Sequence, residues 1–235
     1  AWTDLALVVP IFLAYHLGVI LLDVRNAADL VTAQLTALAD RHIAIYWGIT
    51  LLIGLVMNTV LWVLGRGQAL EKKRFMLVGA EGVLYAIIMR TVAAYVVGSL
   101  SLVPADPTQF GPALADPALG TGTDGVWAGV VMSLGAGLYE EIAFRVGLFG
   151  VGTLVIRLFW GGIMKMGAYA IWALITALIF SGWHYVGAYG DDFVLASFVF
   201  RAVCGLVLTA IYLFRGFAPA VWTHALYDVW AIALH

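Results

Sequence analysis

Cysteine and charge are scarce in this sequence. Cys204 is the single cysteine, so no disulfide can form within the chain, and no C-x-x-C metal pattern occurs. Only 11% of the 235 residues are charged, against about 25% in soluble domains. With a net charge of −2, the chain lacks the excess of positive charge that attracts nucleic acid. What the chain has instead is 63% hydrophobic residues and a mean hydropathy of +1.00, which is typical of a polytopic membrane protein.

Seven apolar stretches are each long enough to cross a bilayer, for which about 20 residues are needed. They cover 2–22, 43–64, 75–103, 126–150, 167–186, 193–214 and 217–234. The sequence thus predicts an all-α transmembrane bundle of about seven spans, forming a single integral membrane domain over 1–235. Within it, the N-terminal spans occupy 1–103, an outer loop 104–124, and a C-terminal core 126–235. The polar stretch 23–42 is amphipathic and predicts a helix lying at the interface.

Basic residues mark one side of the membrane. Lys and Arg cluster in 65–74, in 151–166 and at Arg215, whereas 104–124 and 187–192 contain none. Because cytoplasmic loops carry the excess of Lys and Arg, we expect a cytoplasmic N-terminus. The Ala- and Gly-rich composition hints at a prokaryotic inner membrane.

Three ionisable residues interrupt the fourth span, which is otherwise apolar over 126–156: Glu140, Glu141 and Arg145. Each costs roughly 2.5–3.5 kcal/mol inside a bilayer on insertion scales. Glu141 and Arg145 are four residues apart and share a helix face, so they are predicted to pair. Glu140 points about 100° away and can face a cavity, where desolvation disfavours its ionised form. Such a carboxylate is suited to act as a general base.

Two further i,i+4 pairs lie in later spans, Phe180 with His184 and His224 with Asp228. The polar groups of these pairs are His184, His224 and Asp228. With Glu140 they make four polar groups from three spans, which could hold one water molecule in the bundle core. Glu140 would take its proton, and the histidines would position it or donate to the oxyanion formed at a carbonyl. Asp228 could orient His224, but the i,i+4 reach is strained, which favours a role facing the cavity.

Other intramembrane polar residues are expected to be structural. Glu81 and Arg90 are nine apart and are predicted to pair with other helices. Arg201 is a candidate partner for Glu81 or for a carboxylate on a neighbouring span, and His16 is predicted to be a hydrogen-bonded core residue.

The membrane depths predicted for Glu140 and His184 disagree. Simple placement puts Glu140 slightly cytoplasmic of the bilayer middle and His184 near the outer end of its span, a mismatch of about 10 Å at 1.5 Å per residue. Either the fourth helix is displaced outward and continues past Gly150, or the fifth helix is tilted or begins later than Gly167. The apolar stretch 151–160 favours the first alternative. The chain should then turn along the surface up to Met166 before the fifth span begins.

The three patterns resemble the signature of a known family. E-E-x-x-x-R at 140–145, F-x-x-x-H at 180–184 and H-x-x-x-D at 224–228 are similar to the motifs of the CAAX protease and bacteriocin-processing family. This family, also called Abi or type II CAAX prenyl endopeptidase-like, consists of intramembrane glutamate proteases. The resemblance covers about 135–230 and makes 126–235 the protease core. It implies a membrane-embedded endopeptidase that needs no metal or other cofactor.

The resemblance also implies roles for the site residues. The first glutamate would activate the water with help from the second-motif histidine. The third-motif pair would stabilise the oxyanion. The implied catalytic residues are Glu140, His184, His224 and Asp228, with Glu141, Arg145 and Phe180 in support.

Asp228 departs from the family's best-known branch, which has Asn at this position. Asn can donate a hydrogen bond to an oxyanion, whereas an ionised Asp cannot. Asp228 is then protonated, or it orients another group, or His224 holds the oxyanion alone.

Two other classes of function are open. A metal-dependent membrane hydrolase could use His184, His224, Asp228 and Glu140 as ligands, although no H-E-x-x-H occurs. A transporter, channel or immunity protein could use them as a proton or ion pathway, although no broken-helix repeat is present. For the protease, the expected partners are a protein or peptide substrate, lipidated or membrane-anchored, and the lipid bilayer.

Overall fold

The computed structural model describes residues 2–22, 42–65, 72–102, 123–186 and 191–233. Within these ranges every regular element is helical, which confirms the all-α prediction. In chain order the elements are α1 (Trp2–Leu22), α2 (Ile43–Gly65), α3 (Lys72–Ser99), α4 (Thr123–Glu141), a π-helical segment (Ile142–Gly150), α5 (Val151–Phe159), α6 (Gly162–Trp183), α7 (Leu195–Arg215), α8 (Phe217–Asp228) and a second π-helical segment (Val229–Ala233). The predicted interfacial helix and most of the predicted outer loop lie outside the described residues.

These elements form seven helical rods in the described part of the chain, in agreement with about seven spans. By length and composition, four stretches there can cross a membrane: Met76–Ser99, Gly125–Phe159, Gly162–Trp183 and Leu195–Arg215. Large apolar side chains point away from the bundle, such as Leu158 at 80% and Phe214 at 82% exposure. A lipid environment accommodates such an outer surface, whereas soluble monomers rarely expose large contiguous apolar patches.

The fourth rod runs from α4 through the first π-helical segment into α5 and ends at Phe159, which confirms that it continues past Gly150. The predicted surface segment up to Met166 is wrong. Only Trp160 and Gly161 are extended, and α6 begins at Gly162 instead of Gly167, because apolar residues around Lys165 already form its first turns.

Glycine lets the site-bearing helices approach closely. A Cβ on Gly137 of α4 would lie 2.6 Å from the backbone nitrogen of Ala225 in α8, so these helices cross almost in backbone contact, as small residues allow in membranes. Gly216 has φ of 103° and provides the sharp turn from α7 into α8. The crossing brings the end of α4 beside His224.

The core of the described bundle consists of two apolar clusters. One joins α1, α4 and α8 with Val78 of α3, and the other joins α3, α7 and α8. Helix α8 belongs to both and is almost entirely buried. The polar residues of α4 and α8 therefore face protein and not lipid.

Candidate active site

A buried ion pair forms the base of the site. Glu141 Oε1 lies 3.0 Å from Arg145 Nη1, and both side chains are at most 2% exposed. The pairing expected from the i,i+4 spacing is thus present. Arg145 also donates through Nη2 to the Gly205 carbonyl of α7 at 3.4 Å, which ties the fourth rod to the sixth.

His224 lies among three carboxylates. Its Nδ1 is 2.8 Å from Glu141 Oε1, so an Nδ1–H donates to Glu141. Its Nε2 is 3.4 Å from Asp228 Oδ2 and 3.8 Å from Glu140 Oε2. All four residues are at most 5% exposed. Glu141 therefore contacts both Arg145 and His224, a double contact that sequence spacing did not predict. Asp228 lies against His224 despite the reach that had seemed strained.

His184 lies just beyond the last residue of α6. Its Nδ1 is 2.9 Å from the Phe180 carbonyl. Because a carbonyl can only accept a hydrogen bond, Nδ1 carries the hydrogen and Nε2 is the nitrogen that can meet a water or substrate. The side chain of His184 is half-buried, so it is the more accessible of the two motif histidines.

Phe180 connects these groups. The Arg145 guanidinium carbon lies 4.3 Å above its ring, a cation–π contact. The Phe180 ring is 5.1 Å from the His184 ring and 5.9 Å from the His224 ring, measured between centroids. Through Phe180, the second motif therefore joins the cluster formed by the first and third.

The π-helical segment at Ile142–Gly150 begins directly after the two glutamates. Such segments are rare and occur often at functional sites, where they widen the helix locally. Arg145 lies within it. No residue pattern in the sequence distinguished this segment from ordinary helix, so it went unpredicted.

The residue before Glu140 is held by the first helix. His16 Nε2 and the Tyr139 hydroxyl form a buried hydrogen bond of 2.6 Å. The structural role expected for His16 agrees with this contact. Tyr139 is buried in the core and also takes part in this hydrogen bond.

One of the two partners predicted for Arg201 differs from the partner that the structure shows. Arg201 Nη2 lies 2.6 Å from Asp191 Oδ2, and Glu81 pairs with Arg215, so the alternative pairing of Arg201 with Glu81 is wrong. The Arg90 guanidinium carbon lies 5.0 Å from the Trp230 ring, which places this residue against another helix as expected.

The described residues form only helices, and several of these are apolar and long enough to cross a membrane. Carboxylates, His224 and Arg145 are buried together in the core. These features define a polytopic membrane protein with an enzyme-like core. Residues 122–230 match the family model "Rce1-like: Type II CAAX prenyl endopeptidase Rce1-like". The match covers 109 of the 235 residues and is to the family that the motifs indicated. The match indicates a membrane CAAX endopeptidase, and all seven motif residues lie within the matched range. No curated protein and no solved structure matches the chain.

Proposed function

We propose that the protein is a metal-independent endopeptidase that hydrolyses a peptide bond near the membrane in a lipidated or membrane-anchored protein or peptide. The observation that carries the proposal is the buried cluster in which Glu140, Glu141 and Asp228 surround His224 inside the helical bundle. Buried ionisable groups inside a membrane protein mark functional sites by default. The cluster lies within a segment that matches a protease family.

In this proposal Glu140 removes a proton from water. The oxygen of the resulting hydroxide attacks the carbonyl carbon of the scissile bond, and the proton later passes to the amine that leaves. The separation of 3.8 Å between Glu140 Oε2 and His224 Nε2 is too long for a hydrogen bond. A reacting group can therefore approach both atoms. His184 positions the water through its Nε2.

In the proposed mechanism, His224 and Asp228 stabilise the oxyanion. Glu141 accepts from Nδ1–H of His224 and fixes the orientation of the ring. When the ring is protonated on both nitrogens, Nε2 can donate to a developing negative charge. Asp228 lies 3.4 Å from that Nε2. An ionised Asp cannot donate to an oxyanion, so its contact with His224 supports a role in holding the imidazole.

The reaction class is tested with purified protein in lipid nanodiscs. A farnesylated C-terminal peptide and the same peptide without its lipid are incubated with the protein, and the products are identified by mass spectrometry. We expect one internal cleavage of the farnesylated peptide, unchanged by 1,10-phenanthroline or EDTA. Cleavage of both peptides at equal rates would still show that the protein is a protease, but it would show that the substrate does not need a lipid.

Metal analysis of the same sample tests the main alternative. Within the described residues, no group of three His, Cys, Asp or Glu side chains is arranged to hold a metal ion. Stoichiometric zinc in the purified protein, together with loss of cleavage on chelation, would favour the metal-dependent hydrolase.

A further inference from the structure

A second buried ion pair lies next to the turn that carries His184. Arg201, in α7, places Nη2 at 2.6 Å from Asp191 Oδ2, with the two side chains 10% and 20% exposed. The backbone N–H of Asp191 donates to the His184 carbonyl at 2.9 Å. One residue, Asp191, is therefore bound to α7 by its side chain and to His184 by its backbone.

The turn needs such an anchor because His184 is outside the regular helix. Helix α6 ends at Trp183, and the N–H of His184 donates to the Ser181 carbonyl, three residues earlier, over a long distance of 3.3 Å. The helix ladder therefore constrains this residue weakly. Contacts to α7 replace the missing constraint: Ser181 Oγ donates to the Phe198 carbonyl at 2.6 Å.

Arg201 also covers the same turn. Its guanidinium carbon lies 5.3 Å from the ring of Tyr185, the residue after His184. A buried arginine has a high desolvation cost unless its partners are well placed. Here its partners are Asp191, bonded to the His184 carbonyl, and Tyr185, the next residue along the chain.

We propose that Asp191 and Arg201 are positioning residues for His184, a role that rests on the proposed function only in that His184 works in catalysis. Neither residue belongs to the three motifs. The pair acts through the backbone: Arg201 holds the Asp191 carboxylate, Asp191 holds the His184 carbonyl, and the Nδ1–H bond to Phe180 then directs Nε2 toward the site.

The direct test observes His184 by NMR in protein labelled with ¹³C and ¹⁵N at histidine. The chain has five histidines, so the His184→Gln variant assigns the His184 signal by its disappearance. We expect Asp191→Asn and Arg201→Lys to shift or broaden the His184 ring resonance and to leave that of His16 unchanged. The matched control is Asp192→Asn, an identical substitution at the exposed neighbouring residue, which should leave His184 unchanged.

Kinetics give the second readout. Misplacement by about 1 Å can cost on the order of 100-fold, so in Asp191→Asn we expect kcat for the farnesylated peptide to fall by about 10- to 100-fold with KM within twofold. Asp191→Glu, which restores the charge, should recover part of kcat. If Asp191→Asn does not fold, the same measurements are made on Arg201→Lys.

The outcomes separate this proposal from the proposed function. An unchanged His184 resonance in folded Asp191→Asn or Arg201→Lys protein overturns the positioning role, whatever the kinetics. A fall in melting temperature with normal kcat also overturns it and leaves a purely structural pair. If the wild-type protein cleaves neither peptide, the proposed function fails, while the NMR result still decides whether the pair positions His184.

Discussion

Among the described residues, two arginine–glutamate pairs differ in depth: one lies within the fourth rod, and the other joins α3 to the end of α7. Arg145 and Glu141 are 2% and 0% exposed, whereas Arg215 and Glu81 are 50% and 26% exposed. The buried pair has further partners: His224 on the glutamate, and the Gly205 carbonyl and Phe180 ring on the arginine. The half-exposed pair lies where α7 turns into α8.

The difference shows how burial changes the role of the same two residue types. A buried pair gains from attraction only when additional hydrogen bonds offset its desolvation, and such bonds fix the position of every group they join. An exposed pair is screened by solvent and contributes little. The extended network around Glu141 therefore fixes the positions of Arg145 and His224, while the Glu81 pair is a connection between helices.

The largest effect should follow from breaking the buried pair. Arg145→Ala leaves the Glu141 charge buried without its cation, so we expect a destabilisation on the order of 3–5 kcal/mol, measured by unfolding in mixed detergent micelles. The double variant Arg145→Met with Glu141→Gln should recover part of this, because no net charge is then left unpaired. A loss of stability no larger than that of Arg215→Ala would contradict the role of burial.

A smaller loss should follow from separating α4 and α8 at their crossing. In Gly137→Ala the new methyl group would meet the Ala225 backbone, and we expect overpacking to cost about 1–3 kcal/mol and to weaken the bond between His224 and Glu141. The matched control is Gly79→Ala, where a Cβ meets nothing within 4 Å. Equal stability of the two variants would show that the close approach is not needed.

The turn beside the exposed pair can be disturbed through its backbone. Gly216 has φ of 103° and ψ of −176°, a region essentially restricted to glycine, so Gly216→Ala should cost on the order of 1–3 kcal/mol. We expect it to lower the melting temperature more than Arg215→Ala does, because the turn is held by backbone geometry and not by the ion pair. The reverse order would give the exposed pair a larger role.

The smallest effect should come from the exposed pair itself. Glu81→Gln keeps the shape of the side chain and removes its charge, and we expect a melting temperature close to that of the wild type at high salt, where exposed charges are screened. The measurement is thermal unfolding at two salt concentrations. A large, salt-independent loss would mean that this pair is buried in the membrane protein as it functions.

Much of the fold followed from the sequence because span length and hydrophobicity are local properties. The first helix has the bounds that were predicted, 2–22. The start of α6 was misplaced because a reversal of two residues, Trp160 and Gly161, leaves little compositional trace. Lys165 lies within the segment that was predicted to follow the surface, yet it is in the first turns of α6.

The site was predictable within one helix and not between helices. The pairing of Glu141 with Arg145 followed from i,i+4 geometry. The bond from His224 to Glu141 did not, because it depends on how α4 and α8 are rotated where Gly137 lets them cross. The pairs of Arg201 with Asp191 and of Glu81 with Arg215 depend on helix packing in the same way.

The most direct test of the central claim is a single-turnover assay of Glu140→Gln with the farnesylated peptide, beside Glu81→Gln as an isosteric control. The amide keeps the size of the side chain but cannot accept a proton from water, and general-base catalysis contributes about 10²- to 10⁴-fold. We predict a loss in this range or beyond for Glu140→Gln, with normal folding, and wild-type rates for Glu81→Gln. Wild-type cleavage by folded Glu140→Gln protein would contradict the assignment of Glu140 as the base.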